Sequence, residues 1–365
     1  MGGGLRSRMR VIAAGTAFGL GVGKTAAGAL TRPPETDLRG QVALVTGGSR
    51  GLGLALSREL AHHGCRLAIC ARDETELAVA RADLATMGAE VLAVPCDVAD
   101  RAQVASLVET VTRHYGRIDI LVNNAGIIVV APLESLTHTE FERVMASNLW
   151  GVLNPTLAVL PGMRAQGAGR IVTITSIGGK IAVPHMLPYT TAKFAAVGLS
   201  LGLRAELAGA GIAVTTVVPG LMRTGSQLHA EFGGDQAAEY RWFALGASAP
   251  YPIALSAERA ARIIVAAARR GDAECAFPLS TVLATRLAGL LPGAAAHAAA
   301  LVDRFLPAPP SHPSGTLPGA AVDPTVDSPL FHLATTLGRS AAAEYNQEPP
   351  PHSPVREPSP SPGST

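Results

Sequence analysis

Residues 41–53 read Gln-Val-Ala-Leu-Val-Thr-Gly-Gly-Ser-Arg-Gly-Leu-Gly. The first six form an apolar run of strand length. The pattern that follows, Leu54 to His63, has helical spacing. Between the two lies a glycine-rich turn, Gly47 to Gly53. Strand, glycine-rich turn, helix is the context that a dinucleotide site requires. Glycines let the backbone approach a pyrophosphate, and the helix N-terminus favours its negative charge. A glycine-rich turn alone is weak evidence, so the rest of the chain decides.

Outward from that turn the pattern alternates. Strand Arg66–Cys70 is followed by helix Glu74–Met87, strand Glu90–Val94, the pair Asp97-Val98 and helix Arg101–Tyr115. Strand Ile118–Val122 runs into Asn123-Asn124-Ala125-Gly126, and helix Thr139–Leu153 carries Asn148. Strand Arg170–Thr175 leads to Ser176, helix Pro188–Ala208 carries Tyr189 and Lys193, and strand Ile212–Val218 ends in Pro219-Gly220. Helix Ser256–Arg270 and strand Ala273–Phe277 complete the series. Strands alternating with helices argue for an α/β fold, a Rossmann-type doubly wound parallel sheet of about seven strands with helices on both faces. The expected organisation is one such domain over residues 39–280, a leader at 1–38, an amphipathic helical extension at 281–306 and a mostly disordered Pro-rich tail at 307–365.

The 365 residues, 48% hydrophobic and 16% charged, suffice for one large core. A net charge of +2 gives no electrostatic footprint for nucleic acid. Cys65, Cys70, Cys96 and Cys275 are scattered, with no Cys-x-x-Cys and no His pair at ligand spacing. They read as small buried hydrophobes in a reducing compartment, and no metal site is expected. In the leader, Arg6, Arg8 and Arg10 precede the uncharged stretch Val11–Gly23, which is too short to span a bilayer as a helix. Gly19–Thr25 fails the phosphate-loop spacing because Phe18 stands where the first Gly is needed. A myristoylation pattern fails at Arg6. The leader therefore reads as flexible or membrane-touching. The expected location is cytoplasmic, with peripheral membrane contact through the extensions.

Tyr189 and Lys193 are four residues apart and share one face of a helix. A phenol is a poor acid at neutral pH, and a nearby ammonium lowers its pKa. The pair suits proton transfer to or from an alcohol or carbonyl oxygen. Ser176 follows a buried strand, at the carboxyl end where open α/β sheets bind ligands. After the second strand, an acidic residue would take a ribose 2′-hydroxyl. Here the chain runs Cys70-Ala71-Arg72, and Arg72 with Arg50 could clamp a 2′-phosphate. NADP (NADPH) is therefore expected as the preferred cofactor and NAD as the second candidate, with Asp73 counting against the preference. A pair of solvated surface arginines is the alternative.

These residues together resemble the classical short-chain dehydrogenase/reductase family over about residues 39–280. Its T-G-x-x-x-G-x-G falls on Thr46-Gly47-Gly48-Ser49-Arg50-Gly51-Leu52-Gly53, and its N-N-A-G on Asn123 to Gly126. Its Asn-Ser-Tyr-Lys tetrad falls on Asn148, Ser176, Tyr189 and Lys193. The resemblance implies that Tyr189 exchanges a proton with the substrate oxygen and that Ser176 positions the carbonyl. Lys193 would hold the nicotinamide ribose and depress the Tyr189 pKa, and Asn148 would support a water linking Lys193 to solvent. Cofactor contacts are implied for Thr46, Gly47, Ser49, Arg50, Gly51, Leu52, Gly53, Arg72, Asp97 (to adenine), Val98, Asn124, Ala125, Gly126, Tyr189, Lys193, Pro219, Gly220 and Thr224 (to the carboxamide). Asn148 as a helix stabiliser and Thr224 as an ordinary cap remain open.

The resemblance places the substrate pocket between Ile177–Leu187 and Leu221–Pro250. Met222, Leu228, Phe232, Trp242, Phe243 and Leu245 make the second segment a mobile, largely apolar lid for a lipophilic carbonyl or alcohol, or else a packed layer. Leu279–Leu306 is amphipathic and interrupted at Pro292-Gly293; it would cover the body, pair subunits or lie on a membrane. The expected activity is an NADP(H)-preferring interconversion of a small-molecule carbonyl/alcohol pair by a homodimer or homotetramer. The rivals are a non-catalytic dinucleotide-binding regulator, which would be expected to lose Tyr189 or Lys193, and a membrane-associated scaffold. A sugar epimerase of the extended class is disfavoured by the glycine spacing.

Overall fold

The computed structural model describes residues 35–310, 315–326 and 328–348. Of the expected leader, residues 1–34 lie outside these. From Asp37 onward the described chain builds one compact body.

Its first strand, β1 (Val42–Thr46), is buried along its whole length. It is followed by α1 (Gly51–His62), β2 (Arg66–Ala71), α2 (Glu74–Thr86), β3 (Val91–Pro95), α3 (Arg101–Tyr115) and β4 (Ile120–Asn123). Then come α4 (His138–Met145), α5 (Gly151–Gln166), β5 (Gly169–Ile174), α6 (Leu187–Leu207) and β6 (Ile212–Pro219). The body closes with α7 (Gln236–Ser248), α8 (Ala257–Arg270) and β7 (Glu274–Phe277). The sheet order is β7-β6-β5-β4-β1-β2-β3, and every pairing is parallel.

The period of two along β1 splits the core. Ala43 and Val45 join the cluster under α1, α2 and α8, whereas Val42 and Leu44 join the cluster under α3, α5 and α6. On α8, Ala257, Ala260, Ala261, Ile264, Val265 and Ala268 form the i, i+3, i+4 stripe that lies on the sheet. Asp73 and Asp100 cap α2 and α3 by accepting backbone N–H bonds from the first turn. The four cysteines are free and buried. Asp119, just ahead of β4, accepts the Val42 N–H at 2.9 Å and is paired with Arg117, so it pins the start of β1 to β4.

The seven expected strands are all present, and boundaries differ by a few residues. One helix departs from expectation. The stretch expected as one helix from Thr139 to Leu153 is α4, then a π-helical turn at Ala146–Trp150, then α5. The break at Pro292-Gly293 separates α9 (Leu279–Leu290) from α10 (Pro292–Asp303).

The tail departs most. Among the described residues of the tail, in place of a mostly disordered segment, residues 317–318 add a strand to a small sheet with 231–232 and 129–130. The helices α11 (Pro329–Ala334) and α12 (Thr336–Glu344) follow. Val322, Val326 and Phe331 share a core with Phe232, Tyr240 and Phe243. The Tyr240 hydroxyl donates to Asp323 at 2.7 Å, and Arg339 pairs with the same carboxylate. The physical reason is plain: the segment after β6 presents an apolar surface, and the tail carries enough apolar residues to cover it. The expected lid is thus packed beneath the tail.

Candidate active site

β5 delivers Ser176 to the carboxyl edge of the sheet in extended conformation, and the Ser176 Oγ accepts the Gly178 N–H at 3.0 Å. α6 starts at Leu187 with Pro188 in its first turn, which presents Tyr189 and Lys193 on one face. The Lys193 Nζ is 5.6 Å from the centre of the Tyr189 ring. It is buried and donates to the Ile174 carbonyl at 3.0 Å, which ties it to the strand that carries Ser176. Burial pulls the Lys193 ammonium down to about 8. Burial pushes the Tyr189 phenol up, and a hydrogen bond with the Ser176 side chain draws it part of the way back. The balance is set by desolvation against the Ser176 hydrogen bond, not by Lys193. At neutral pH the site therefore holds a phenol beside a cation.

The π-helical turn aims Asn148 back at the segment after β4. Its Oδ1 accepts the Ile127 N–H and its Nδ2 donates to the Ile127 carbonyl, both at 2.9 Å. Both ends of the amide thus hold the Ile127 backbone. Gly126 is required beside it, because a Cβ there would lie 2.5 Å from the Asn148 Oδ1 and 3.7 Å from the Lys193 Nζ. Asn148 thereby positions the wall of the site.

The glycine-rich turn is latched to β4. The Thr46 Oγ1 accepts the Asn124 and Ala125 N–H groups at 3.0 and 3.1 Å, and the Asn124 Nδ2 donates to the Thr46 and Gly47 carbonyls. A side chain at Gly53 would collide with the Gly47 carbonyl, so helix and strand meet only through glycine there. Gly51, at a φ of +55°, opens α1, whose N-terminus has no side-chain cap. This cradle fits a dinucleotide pyrophosphate. It is not open, however: the Gly51 N–H donates to the Tyr345 carbonyl of the tail at 2.8 Å.

At the ribose end, Arg50 is paired with Glu76, which also accepts from the Ser49 Oγ at 3.0 Å. Burial lowers the Arg50 guanidinium, Glu76 opposes that, and neighbouring Arg72 adds to it. Asp73, counted against a 2′-phosphate, is spent on capping α2. The Asp97 carboxylate accepts the Ala99 N–H, and Val98 is buried. Thr224 is buried, and the Gly220 N–H donates to Phe277 O at 2.7 Å. Pro219 ends β6 in register with Phe277. Leu52 is buried in the core beneath the turn.

The residues 41–231 match the family model for short chain dehydrogenases. The chain belongs to the short-chain dehydrogenase family. The granaticin polyketide synthase putative ketoacyl reductase 1 of Streptomyces violaceoruber is 42% identical over 202 residues, 55% of this chain and 74% of that one. A short-chain dehydrogenase/reductase from Burkholderia phymatum, solved with NAD, superposes with a TM-score of 0.66 at 26% identity, covering 70% of this chain and 95% of that one. An actinorhodin polyketide ketoreductase variant, solved with NADPH, gives 0.58 at 31% identity over 65% and 95%. This short-chain dehydrogenase is an NAD(P)-dependent oxidoreductase acting on CH–OH groups. Among the described residues no helix is long and apolar enough to cross a membrane.

Three contributors escaped the sequence reading. Asn154 holds the Asp97-Val98 loop through the Val98 and Ala99 carbonyls at 3.0 and 3.1 Å; an Asn ahead of Pro155 inside a helix was the available signal. Glu76 carried no signal, since an acidic residue in a first helical turn is ordinary. The tail residues Tyr345, Asn346 and Gln347 had none.

Proposed function

We propose that this enzyme reduces a keto group on a lipophilic substrate, with NADPH as the preferred donor and Tyr189 as the proton source. The observation that carries the reading is the meeting of Ser176, Tyr189 and Lys193 at the end of β5, with Tyr189 held as a phenol. When bound, the nicotinamide supplies the hydride. The chain's own part is to position and to move a proton. The Ser176 hydroxyl fixes the carbonyl oxygen beside the Tyr189 Oη, which gives its proton to that oxygen. The Lys193 Nζ, with one hydrogen on Ile174 O, has two left for ribose hydroxyls.

A lipophilic substrate is supported by the wall next to Tyr189, where Ile128, Val183, Met186, Trp242 and Phe243 pack in one cluster. The polyketide ketoacyl reductase relative and the NADPH-bound ketoreductase support reduction of a keto group and the choice of NADPH. Preference for NADPH rests on Arg72 and Arg50 at the ribose end, where Glu76 must release Arg50 for both to reach a 2′-phosphate. Replacing Arg72 with Ala should raise the Kd for NADPH about ten-fold and leave NADH within two-fold; equal effects on the two refute the preference.

The catalytic unit proposed is residues 39–280. A homodimer or homotetramer is proposed through α5 and α6, where Leu157, Phe194 and Leu201 are exposed beside Trp150. A cytoplasmic enzyme touching a membrane surface is proposed through α9, where Leu279, Leu283, Leu287 and Leu290 stand exposed a turn apart. Light scattering and vesicle co-sedimentation test the two: a monomer refutes the first, and a protein left wholly in the supernatant with anionic vesicles refutes the second.

A further inference from the structure

The tip of the tail lies on the surface that the cofactor must use. The Gly51 N–H, at the open N-terminus of α1, is donated to the Tyr345 carbonyl at 2.8 Å. The Asn346 Nδ2 donates to the Ser49 carbonyl at 3.0 Å and to the Glu76 carbonyl at 3.2 Å. The Gln347 side chain covers Gly51, so that even a methyl group added to Gly51 would strike it. The Gln347 carbonyl accepts from the His229 Nε2 at 2.9 Å. The tip thus bridges the glycine-rich turn and the segment after β6, the two lips between which a pyrophosphate has to pass. The second glycine of such a turn lacks a side chain so that the backbone can approach the pyrophosphate. Here that space is filled by the chain itself.

Two features mark the tip as releasable. Ala341 and Tyr345 are buried in the core cluster under α1 and α8, with Tyr345 under the Arg58 guanidinium, but beyond them Asn346 and Gln347 are held by polar contacts, and the Gln347 Oε1 is buried without a partner. The apolar anchor of the tail, Val322, Val326 and Phe331, lies upstream against Tyr240 and Phe243. Asn346 and Gln347 can leave while these anchors stay.

We propose that residues 346–348 act as an internal competitor of the dinucleotide, docking over Gly51 in the free enzyme and lifting off as the cofactor binds. The proposal rests on the glycine-rich turn being the pyrophosphate site. The docked tip lowers the apparent cofactor affinity by the fraction of molecules in which it is closed.

Hydrogen exchange on the full chain, free and saturated with NADPH, tests both layers separately. Peptides covering residues 47–53 should gain protection, which reports binding at the turn. Peptides covering 346–348 should lose it. If the turn is protected and the tail is unchanged or also protected, the tail is a wall or clasp of the site and the competitor is refuted. If the turn itself shows no protection, the pyrophosphate assignment fails and the proposal falls with it. The full-length variant Asn346→Ala gives the second readout. It removes two hydrogen bonds and places alanine at a φ of +53°. Its Kd for NADPH should be at least five-fold lower than that of the wild type; an equal or higher Kd overturns the proposal.

Discussion

At the residue scale the site is governed by burial. Lys193 has a reference pKa of 10.5 and sits near 8 in the fold. Below pH 8 it is charged in both folded and unfolded chains, and holding that charge in the interior costs about 3 kcal/mol. Between pH 8 and 10.5 the unfolded chain binds the extra proton, so this group alone makes stability rise with pH across that window. Lys193→Met should therefore abolish turnover yet raise the melting temperature at pH 7, with the gain gone by pH 10.5; calorimetry at the two pH values checks this. Tyr189 is displaced upward, so reduction should hold steady through neutral pH and fall only in the alkaline range, while alcohol oxidation should climb with pH. A pH profile in which oxidation is faster at pH 7 than at pH 9 would contradict the assigned acid. The Ser176, Tyr189 and Lys193 positions were legible because a four-residue spacing on a helix after a buried strand is a local pattern. The partner of Asn148 was not legible, since apolar periodicity does not register the π-helical turn that redirects it.

At the scale of elements, all seven strands were readable because each is an apolar run bounded by turn residues, and β1 is buried from end to end. The tail reads as mostly disordered from its Pro-rich composition, with a short helix expected only over Ser328–Tyr345, where the structure has α11 and α12. Its core residues Val322, Val326 and Phe331 are too few and too interrupted by Pro to announce a core, and their partners lie about 80 to 100 residues away on α7 and its preceding strand. The local signal was Pro-rich, and the long-range one was invisible. Phe331, in tilted ring contact with Tyr240, carries the clearest consequence. Phe331→Ala should destabilise the protein by about 3 kcal/mol, read by urea unfolding; a loss under 0.5 kcal/mol would mean that the tail does not pack on α7. The same reading sets the role of Asp119. Asp119→Ala removes the acceptor of the buried Val42 N–H and should cost about 2 kcal/mol without touching the site.

At the scale of the molecule, the doubly wound sheet does two things. It brings the candidate site residues that follow β1 to β6 to one edge, and it leaves the segment after β6 to form an apolar wall that the tail covers. The enzyme is thereby a proton-donating pocket behind an occupied dinucleotide cradle. The reading as a reductase turns on one group. The decisive measurement is NADPH consumption by the full-length protein with a panel of small and lipophilic ketones, run beside Tyr189→Phe. Ketone-dependent oxidation of NADPH that falls about a thousand-fold in Tyr189→Phe, with dinucleotide binding retained, is the predicted result. A variant that turns over within a few-fold of the wild type would contradict it.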